Sequence, residues 1–299
     1  MSKAASQIPP LAAWHRLRII LEMIKFEHTV FALPFALMAA VLAAQGLPPW
    51  RATFWILVAM VGARSSAMAF NRLVDLEFDR RNPRTATRAL PAGQLTPAQV
   101  WLLVAAATAV FFVAAAMLNP LSLALSPVAL AVIWGYSLTK RFTSLCHLVL
   151  GIAIGIAPSA AWIAVRGSLA WAPVLLTAAV VLWVGGFDII YACQDVEFDR
   201  GAGLRSLPVR LGIGRALLVS RLMHAVTVAL LLALPWMVPL GVLYYAGVAL
   251  AAALLAYEHS LVKPHDLSRI NAAFFTVNGW VSLGLFAFTA ADVLLLGHG

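Results

Sequence analysis

Charge is what this sequence lacks. Asp, Glu, Lys and Arg make up 11% of its 299 residues, against about 25% in an average soluble domain. A length prior of roughly 150 residues per domain would suggest two domains, but so few charges cannot coat two soluble globules. With 63% hydrophobic residues and a mean hydropathy of +0.91, one integral membrane bundle is expected. Cysteine is scarce too. Cys146 and Cys193 sit in apolar stretches without CxxC or metal-ligand spacing, which excludes a disulfide framework and a zinc site and leaves them as packing residues. Met1 to Pro9 lacks an apolar h-region with a small-residue cleavage site, so no signal peptide is expected. Acidic residues number 12 against 21 Lys and Arg, for a net charge of +9. That balance would point to nucleic acid only if the cations formed a water-facing patch, and their positions point elsewhere.

What the chain has in abundance is uncharged runs, and about 20 apolar residues suffice for a helix to cross the hydrocarbon. His28 to Trp50 is the first run, and Ala52 to Asn71, interrupted only by Arg64, is the second. The 51 residues from Ala89 to Thr139 hold two spans that turn near Asn119-Pro120. Phe142 to Val165 and Gly167 to Phe187 follow; Leu222 to Tyr257 holds two more, divided around Pro235 and Pro239; Ile270 to Ala291 is the ninth. Numbering the loops alternately puts 18 of the 21 cations on one side, leaving Arg51 and Arg166 on the other and Arg64 within a span. The positive-inside rule then sets the N-terminus in the cytoplasm and the C-terminus outside, as in a bacterial inner-membrane protein, and no nucleic-acid partner is needed. The predicted fold class is all-α: one domain over 1–299, nine transmembrane helices around a central cavity open to the cytoplasmic side. A cytoplasmic arm (1–25) and two cytoplasmic loops (72–97 and 193–213) complete it.

Seven of the twelve acidic residues lie in two short segments, Asp75/Glu77/Asp79 and Asp188/Asp195/Glu197/Asp199. Both contain the string Asp-x-Glu-Phe-Asp-Arg, at 75–80 and again 120 residues later at 195–200, each after an even-numbered span. Asn71, Asp75 and Asp79 recur every four residues, as do Asp195 and Asp199, so a helix continued out of the membrane would present each set on one side. A carboxylate at a helix centre in the bilayer costs roughly 2.5 to 3.5 kcal/mol and less toward the interface, so four Asp around one cavity require cations. Mg2+, which favours a few carboxylates plus water and substrate phosphate, suits two facing Asp pairs with an open middle. Arg72, Arg80, Arg84, Lys140, Arg141 and Arg200 stand nearby in sequence, suited to phosphate oxygens. A single Asp-x-x-x-Asp is common on solvated helices. Two copies at matching topological positions, one with an upstream Asn, favour a site.

These strings resemble the UbiA family of intramembrane aromatic prenyltransferases. Asn71-Arg-Leu-Val-Asp75-Leu-Glu-Phe-Asp79, with its trailing Asn82-Pro-Arg-Thr-Ala86 and Arg88-Ala-Leu-Pro-Ala-Gly93, is similar to that family's NxxxDxxxD and following loop. Asp188-Ile-Ile-Tyr191-Ala-Cys-Gln-Asp195-Val-Glu-Phe-Asp199 is similar to its DxxYAxxDxxxD, and Tyr136-Ser-Leu-Thr-Lys140-Arg141 to its YxxxK element. The resemblance implies that Asn71, Asp75, Asp79, Asp195 and Asp199 hold Mg2+ against the diphosphate of a polyprenyl donor, and that Lys140 and Arg141, with Arg72 and Tyr136, line its binding site. The resulting allyl cation would be captured by a ring carbon of a small aromatic acceptor. The segment Lys25 to Pro34 departs from the opening of the ubiquinone-pathway 4-hydroxybenzoate enzymes and looks closer to a sister group with members acting on a dihydroxynaphthoate for menaquinone. A porphyrin acceptor, and an ion-binding transporter or scaffold, are the remaining alternatives.

Weaker signals have a structural and a functional reading each. Arg64, two helical turns before Asn71, either contacts substrate or partners an Asp. Asp188, one turn before Tyr191, either orients Tyr191 or a cation or joins the substrate site. Gly151 and Gly155 form a GxxxG expected to pack helices. Asn271 and Asn278 are expected to hydrogen-bond between helices, the ten Trp to anchor interfaces, and His28 to be structural.

Overall fold

The computed structural model describes residues 18–20, 22–23 and 29–297; the rest of the 1–25 arm, and His28, lie outside the described residues. The helices are α1 (Thr29–Ala44), α2 (Trp50–Val74), α3 (Leu76–Arg81), α4 (Pro97–Leu118), α5 (Pro120–Thr139), α6 (Cys146–Gly155) and α7 (Ala157–Arg166). The second half continues with α8 (Trp171–Ala192), α9 (Val196–Gly201), α10 (Leu207–Leu211), α11 (Ile213–Ala233), α12 (Val242–Leu261) and α13 (Asn278–Ala291). Two π-helical segments, Ala272–Val277 and Asp292–Leu296, flank α13. Among the described residues the only β pairing is an isolated bridge between Lys263 and Asp266, so the molecule is all-α.

Counting α6 with α7, α8 with α9, and α13 with its flanks as single stretches, eight are long and apolar enough to cross a membrane. The first of the nine expected spans is the exception. Within the described residues α1 has 16 residues, about 24 Å at 1.5 Å per residue. It stops short of Trp50 because Gln45 is left-handed (φ 54°) and Gly46 follows at φ 158°, with Pro48-Pro49 immediately before α2. The turn near Asn119-Pro120 is where the sequence predicts it: the Asn119 side chain accepts from Ser122 N (2.8 Å), and its Nδ2 donates to Ile163 O (2.8 Å), tying the turn to α7. Thr96 and Gln99 form a reciprocal capping box at the start of α4. Helix α8 runs past the expected Phe187 and carries Asp188 and Tyr191 on regular backbone.

Lipid tails are as apolar as the side chains, so close approach of small residues, not hydrophobicity, draws spans together. A Cβ on Gly151 would lie 2.3 Å from Val181 O, and one on Gly155 2.6 Å from Val181 Cγ2, so the GxxxG seats α6 against α8. Gly62 does the same for α2 against Ala107 and Phe111 of α4. Asn278 makes the expected interhelical bonds, accepting from Trp183 Nε1 and donating to Glu258 Oε1, both at 2.7 Å. Asn271 does not share that role and is exposed, because the intervening π-helical turn shifts the register that would stack it under Asn278. Trp50, Trp171 and Trp236 are strongly exposed at helix ends opposite the Asp motifs, as interfacial anchors are.

Candidate active site

Both acidic motifs sit where a long helix breaks at its middle Asp. Helix α2 ends at Val74, Asp75 takes φ −89°, ψ 4°, and α3 restarts one residue later. In the second motif, α8 passes through a 3-10 turn (Cys193–Asp195), Asp195 takes φ −102°, ψ 5°, and α9 restarts. The uninterrupted helix expected through Asn71, Asp75 and Asp79 is therefore jointed. The four-residue spacing survives the joint, because Asp75 N still donates to Asn71 O (2.9 Å) and Asp79 N to Asp75 O (2.7 Å).

The joints turn both motifs onto one polar cavity of about 230 Å³. Its walls include Asn71, Arg72, Asp75, Asp79, Tyr136, Lys140, Arg141, Asp188, Tyr191, Asp195 and Asp199. Arg64 lies elsewhere, in a second cavity of about 310 Å³ whose lining is otherwise almost wholly apolar. Tyr136 and Leu150 belong to both linings, so the two spaces adjoin.

Each of Asp75, Asp79, Asp195 and Asp199 has a cation within 4 Å. Buried Asp79 takes Arg88 Nη1 on both oxygens (2.8 and 2.9 Å), with Arg72 at 3.8 Å. Buried Asp199 takes Lys140 Nζ at 2.9 Å. Asp195 is bridged by Arg84 through Nε (3.1 Å) and Nη2 (2.7 Å), and Arg84 Nη1 reaches Tyr191 Oη at 3.3 Å. Asp75 accepts from Asn71 Nδ2 (2.9 Å) and sees Arg141 only at 3.7 Å. Burial and the neighbouring Asp79 carboxylate push the Asp75 carboxyl up to about 6. Burial alone would lower Lys140 and Arg84, but their Asp199 and Asp195 partners outweigh it and raise both.

Arg80 and Arg200, expected around the carboxylates, are exposed outside this lining, since one residue further along a helix points about 100° away. Three residues without a periodic signal take part instead. Arg88, Asn82 and Thr85 come from the loop after the first motif, folded back by Thr85 Oγ1 donating to Asp79 O (3.0 Å) and Arg84 N to Asn82 Oδ1 (3.0 Å).

Among the described residues no three Asp, Glu, His or Cys side chains converge into a ready metal cage. The donors lining the cavity are nevertheless hard oxygens, the five carboxylates of Asp75, Asp79, Asp188, Asp195 and Asp199 with the Asn71 and Asn82 amides, around an open middle. That set fits Mg2+, which keeps waters and substrate phosphates in its shell and seldom uses an all-protein cage.

Residues 32–281 match the model of the UbiA prenyltransferase family. The chain is 33% identical to a 4-hydroxybenzoate octaprenyltransferase of Klebsiella pneumoniae subsp. pneumoniae over 86% of this chain and 89% of that one. To the enzyme of the same name from Aromatoleum aromaticum it is 31% identical over 95% and 97%. Among solved structures, the apo structure of a UbiA homolog from Aeropyrum pernix K1 superposes with a TM-score of 0.82 at 38% identity, covering 90% of this chain and 98% of that one. A UbiA homolog from Archaeoglobus fulgidus bound to DMAPP and Mg2+ shares the fold, with a TM-score of 0.72 at 22% identity over 92% and 98%.

Proposed function

Since this chain belongs to the UbiA prenyltransferase family, we propose that it transfers a polyprenyl group from a polyprenyl diphosphate to a ring carbon of a small aromatic carboxylate of the 4-hydroxybenzoate type, with Mg2+, as a step of quinone biosynthesis. The observation that carries this reading is the adjacency of a cation-rich polar cavity and an apolar chamber. An allylic diphosphate has the same two parts, a polyanionic head and a hydrocarbon tail.

In this reading Asn71, Asp75, Asp79, Asp195 and Asp199 hold Mg2+. When bound, the metal acts as a Lewis acid on the diphosphate and stabilises charge that grows as the C–O bond breaks. Lys140, Arg141 and Arg72 bind phosphate oxygens, and Tyr136, shared by both cavities, lies along the boundary the allylic carbon must occupy. Lys140, Arg141 and Arg72 are paired with Asp199, Asp75 and Asp79, so they stand where phosphate oxygens beside those carboxylates would be bound. Arg64, the cation of the apolar chamber, suits the acceptor's carboxylate. The apolar walls exclude water from the carbocation. The whole chain, 1–299, acts as one catalytic unit in the bacterial inner membrane, with its N-terminus and Asp motifs cytoplasmic and its C-terminus outside, as the cation asymmetry supports.

The test is prenyl transfer by the purified protein in liposomes with a labelled polyprenyl diphosphate, against 4-hydroxybenzoate, 1,4-dihydroxy-2-naphthoate, 1,4-dihydroxy-6-naphthoate and haem b, with and without EDTA. A product on 4-hydroxybenzoate, lost in EDTA, is expected. A product confined to a naphthoate or to haem would replace the acceptor, and a donor-binding protein with no product on any ring would refute the reaction.

A further inference from the structure

One buried titratable group outside every motif stands directly behind the wall of the polar cavity, in contact with Asp188 of its lining. His147, on α6, is fully buried, and its Nδ1 lies 2.6 Å from Asp188 Oδ2. Its other ring nitrogen, Nε2, accepts from the backbone N–H of Leu207 at 3.3 Å. An acceptor at Nε2 fixes the tautomer: the neutral ring carries its proton on Nδ1 and donates it to Asp188. Asp188 therefore has one oxygen held by His147, while among the described residues no hydrogen bond engages Oδ1, and its side chain faces the cavity at 21% exposure.

Position gives the pair its meaning. On α8, Phe187 lines the apolar chamber, and Tyr191, one turn after Asp188, lines the polar cavity. On α6, Leu150, three residues after His147, lines both. The His147–Asp188 pair thus stands at the boundary between the two spaces. A prenyl diphosphate with its head in one and its tail in the other puts its C1, and the attacking ring carbon, at that boundary.

Resting on the transfer reaction proposed above, we infer that Asp188 is the base that removes the ring proton and that His147 is its positioning residue. The C1–O bond breaks with its electron pair leaving on diphosphate, and a ring π pair forms the new C1–C bond. The proton on that ring carbon passes to Asp188 Oδ1 while its bonding pair restores the aromatic ring. His147 keeps its Nδ1 proton throughout, because Leu207 N–H occupies the nitrogen that would otherwise accept one. Through Oδ2 it fixes the carboxylate's orientation, as an orienting partner does for a catalytic base.

The experiment is the ring-deuterium isotope effect on prenyl transfer, using 4-hydroxybenzoate and 1,4-dihydroxy-2-naphthoate deuterated at the carbons that accept the chain. An isotope effect reads only the molecules that turn over, so partial misfolding of a variant does not alter it. For the wild type an effect near one is expected. In Asp188→Asn transfer should fall by about 100-fold or more and the effect rise above about 2, since removing a general base typically costs 10²–10⁴-fold. His147→Leu should show the same rise with a smaller loss, on the order of 10-fold, and His147→Asn, whose amide N–H replaces Nδ1–H, should restore both. Loss of rate with the isotope effect still near one would assign the pair to the leaving group or to packing and overturn the inference. Undiminished transfer by Asp188→Asn would overturn it too. A wild type that prenylates neither ring would overturn the parent reading and this inference with it.

Discussion

Arg88 carries a consequence that separates a structural ion pair from one that substrate replaces. Its Nη1 bonds both oxygens of Asp79 at 2.8 and 2.9 Å, and the Asp79 side chain is 9% exposed. Replacing Arg88 with Met leaves that carboxylate to Arg72 at 3.8 Å. Removing one partner of a fully buried pair costs about 3–5 kcal/mol. The Arg88 side chain is itself 29% exposed and Arg72 remains, so about 2 kcal/mol is expected, or on the order of 5 °C in melting temperature. The assay is thermal unfolding in detergent, without ligand and then with saturating Mg2+ and a prenyl diphosphate. If the metal takes over neutralisation of Asp79, the gap between variant and wild type should shrink to less than half. An equal gap in both conditions would refute metal binding at Asp79, and no gap in either would refute the ion pair as a source of stability.

Other perturbations test the remaining parts. Asp75→Ala or Asp195→Ala should lower prenyl transfer by about 100-fold or more, as expected where leaving-group charge is stabilised electrostatically, with unfolding temperature nearly unchanged; a variant with wild-type turnover would remove that residue from the metal site. Because the Asp75 carboxyl is raised to about 6, protons compete with metal there through pH 7 to 5 instead of near 4, so the Mg2+ concentration for half-maximal activity should rise as pH falls from 7.5 to 5.5; a flat profile would count against Asp75 as a ligand. Gly151→Leu pushes side chain into Val181 O and should destabilise by about 1–3 kcal/mol or more, read as a lower melting temperature; an unchanged one would show that α6 can move away from α8. Arg64→Leu should raise KM for a carboxylate acceptor by about 10-fold or more, an ionic hydrogen bond's worth, and leave KM for the donor unchanged; the opposite split would move Arg64 to the diphosphate.

The legible part of this molecule is the part written with a period. Uncharged runs marked the spans, and the four-residue spacing of Asn71, Asp75 and Asp79 survives in the cavity wall even though the helix breaks at Asp75. The break itself was not legible, since nothing in Leu73 to Leu76 is a helix breaker and the joint is a tertiary effect. The roles of Arg88, which the sequence places only in the loop trailing the first motif, and of His147 are not legible for a different reason. Each reaches its carboxylate partner across a loop or between helices, Arg88 by nine residues and His147 by 41, and a side chain's partner at such separation is set by packing that no local pattern encodes. Arg80 and Arg200 show the converse: each is adjacent in sequence to a motif Asp, yet the helix turns it out of the cavity to the exposed side.

The two joints also explain why the acids can face each other without a cage. Asp75 and Asp195, each at a break with nearly the same backbone angles, are the more exposed members of the two Asp-x-x-x-Asp pairs, while Asp79 and Asp199, one turn further on, are the buried ones. Each buried Asp is neutralised by a cation from a different segment, Arg88 from the loop and Lys140 from the end of α5, so the inner layer is charge-balanced before any ligand arrives. The outer layer is not equally balanced: Asp195 has a bidentate Arg84, but Asp75 has Arg141 only at 3.7 Å. In the proposed reaction the less compensated of these two outer carboxylates is therefore Asp75, where the site has more to gain from a divalent charge.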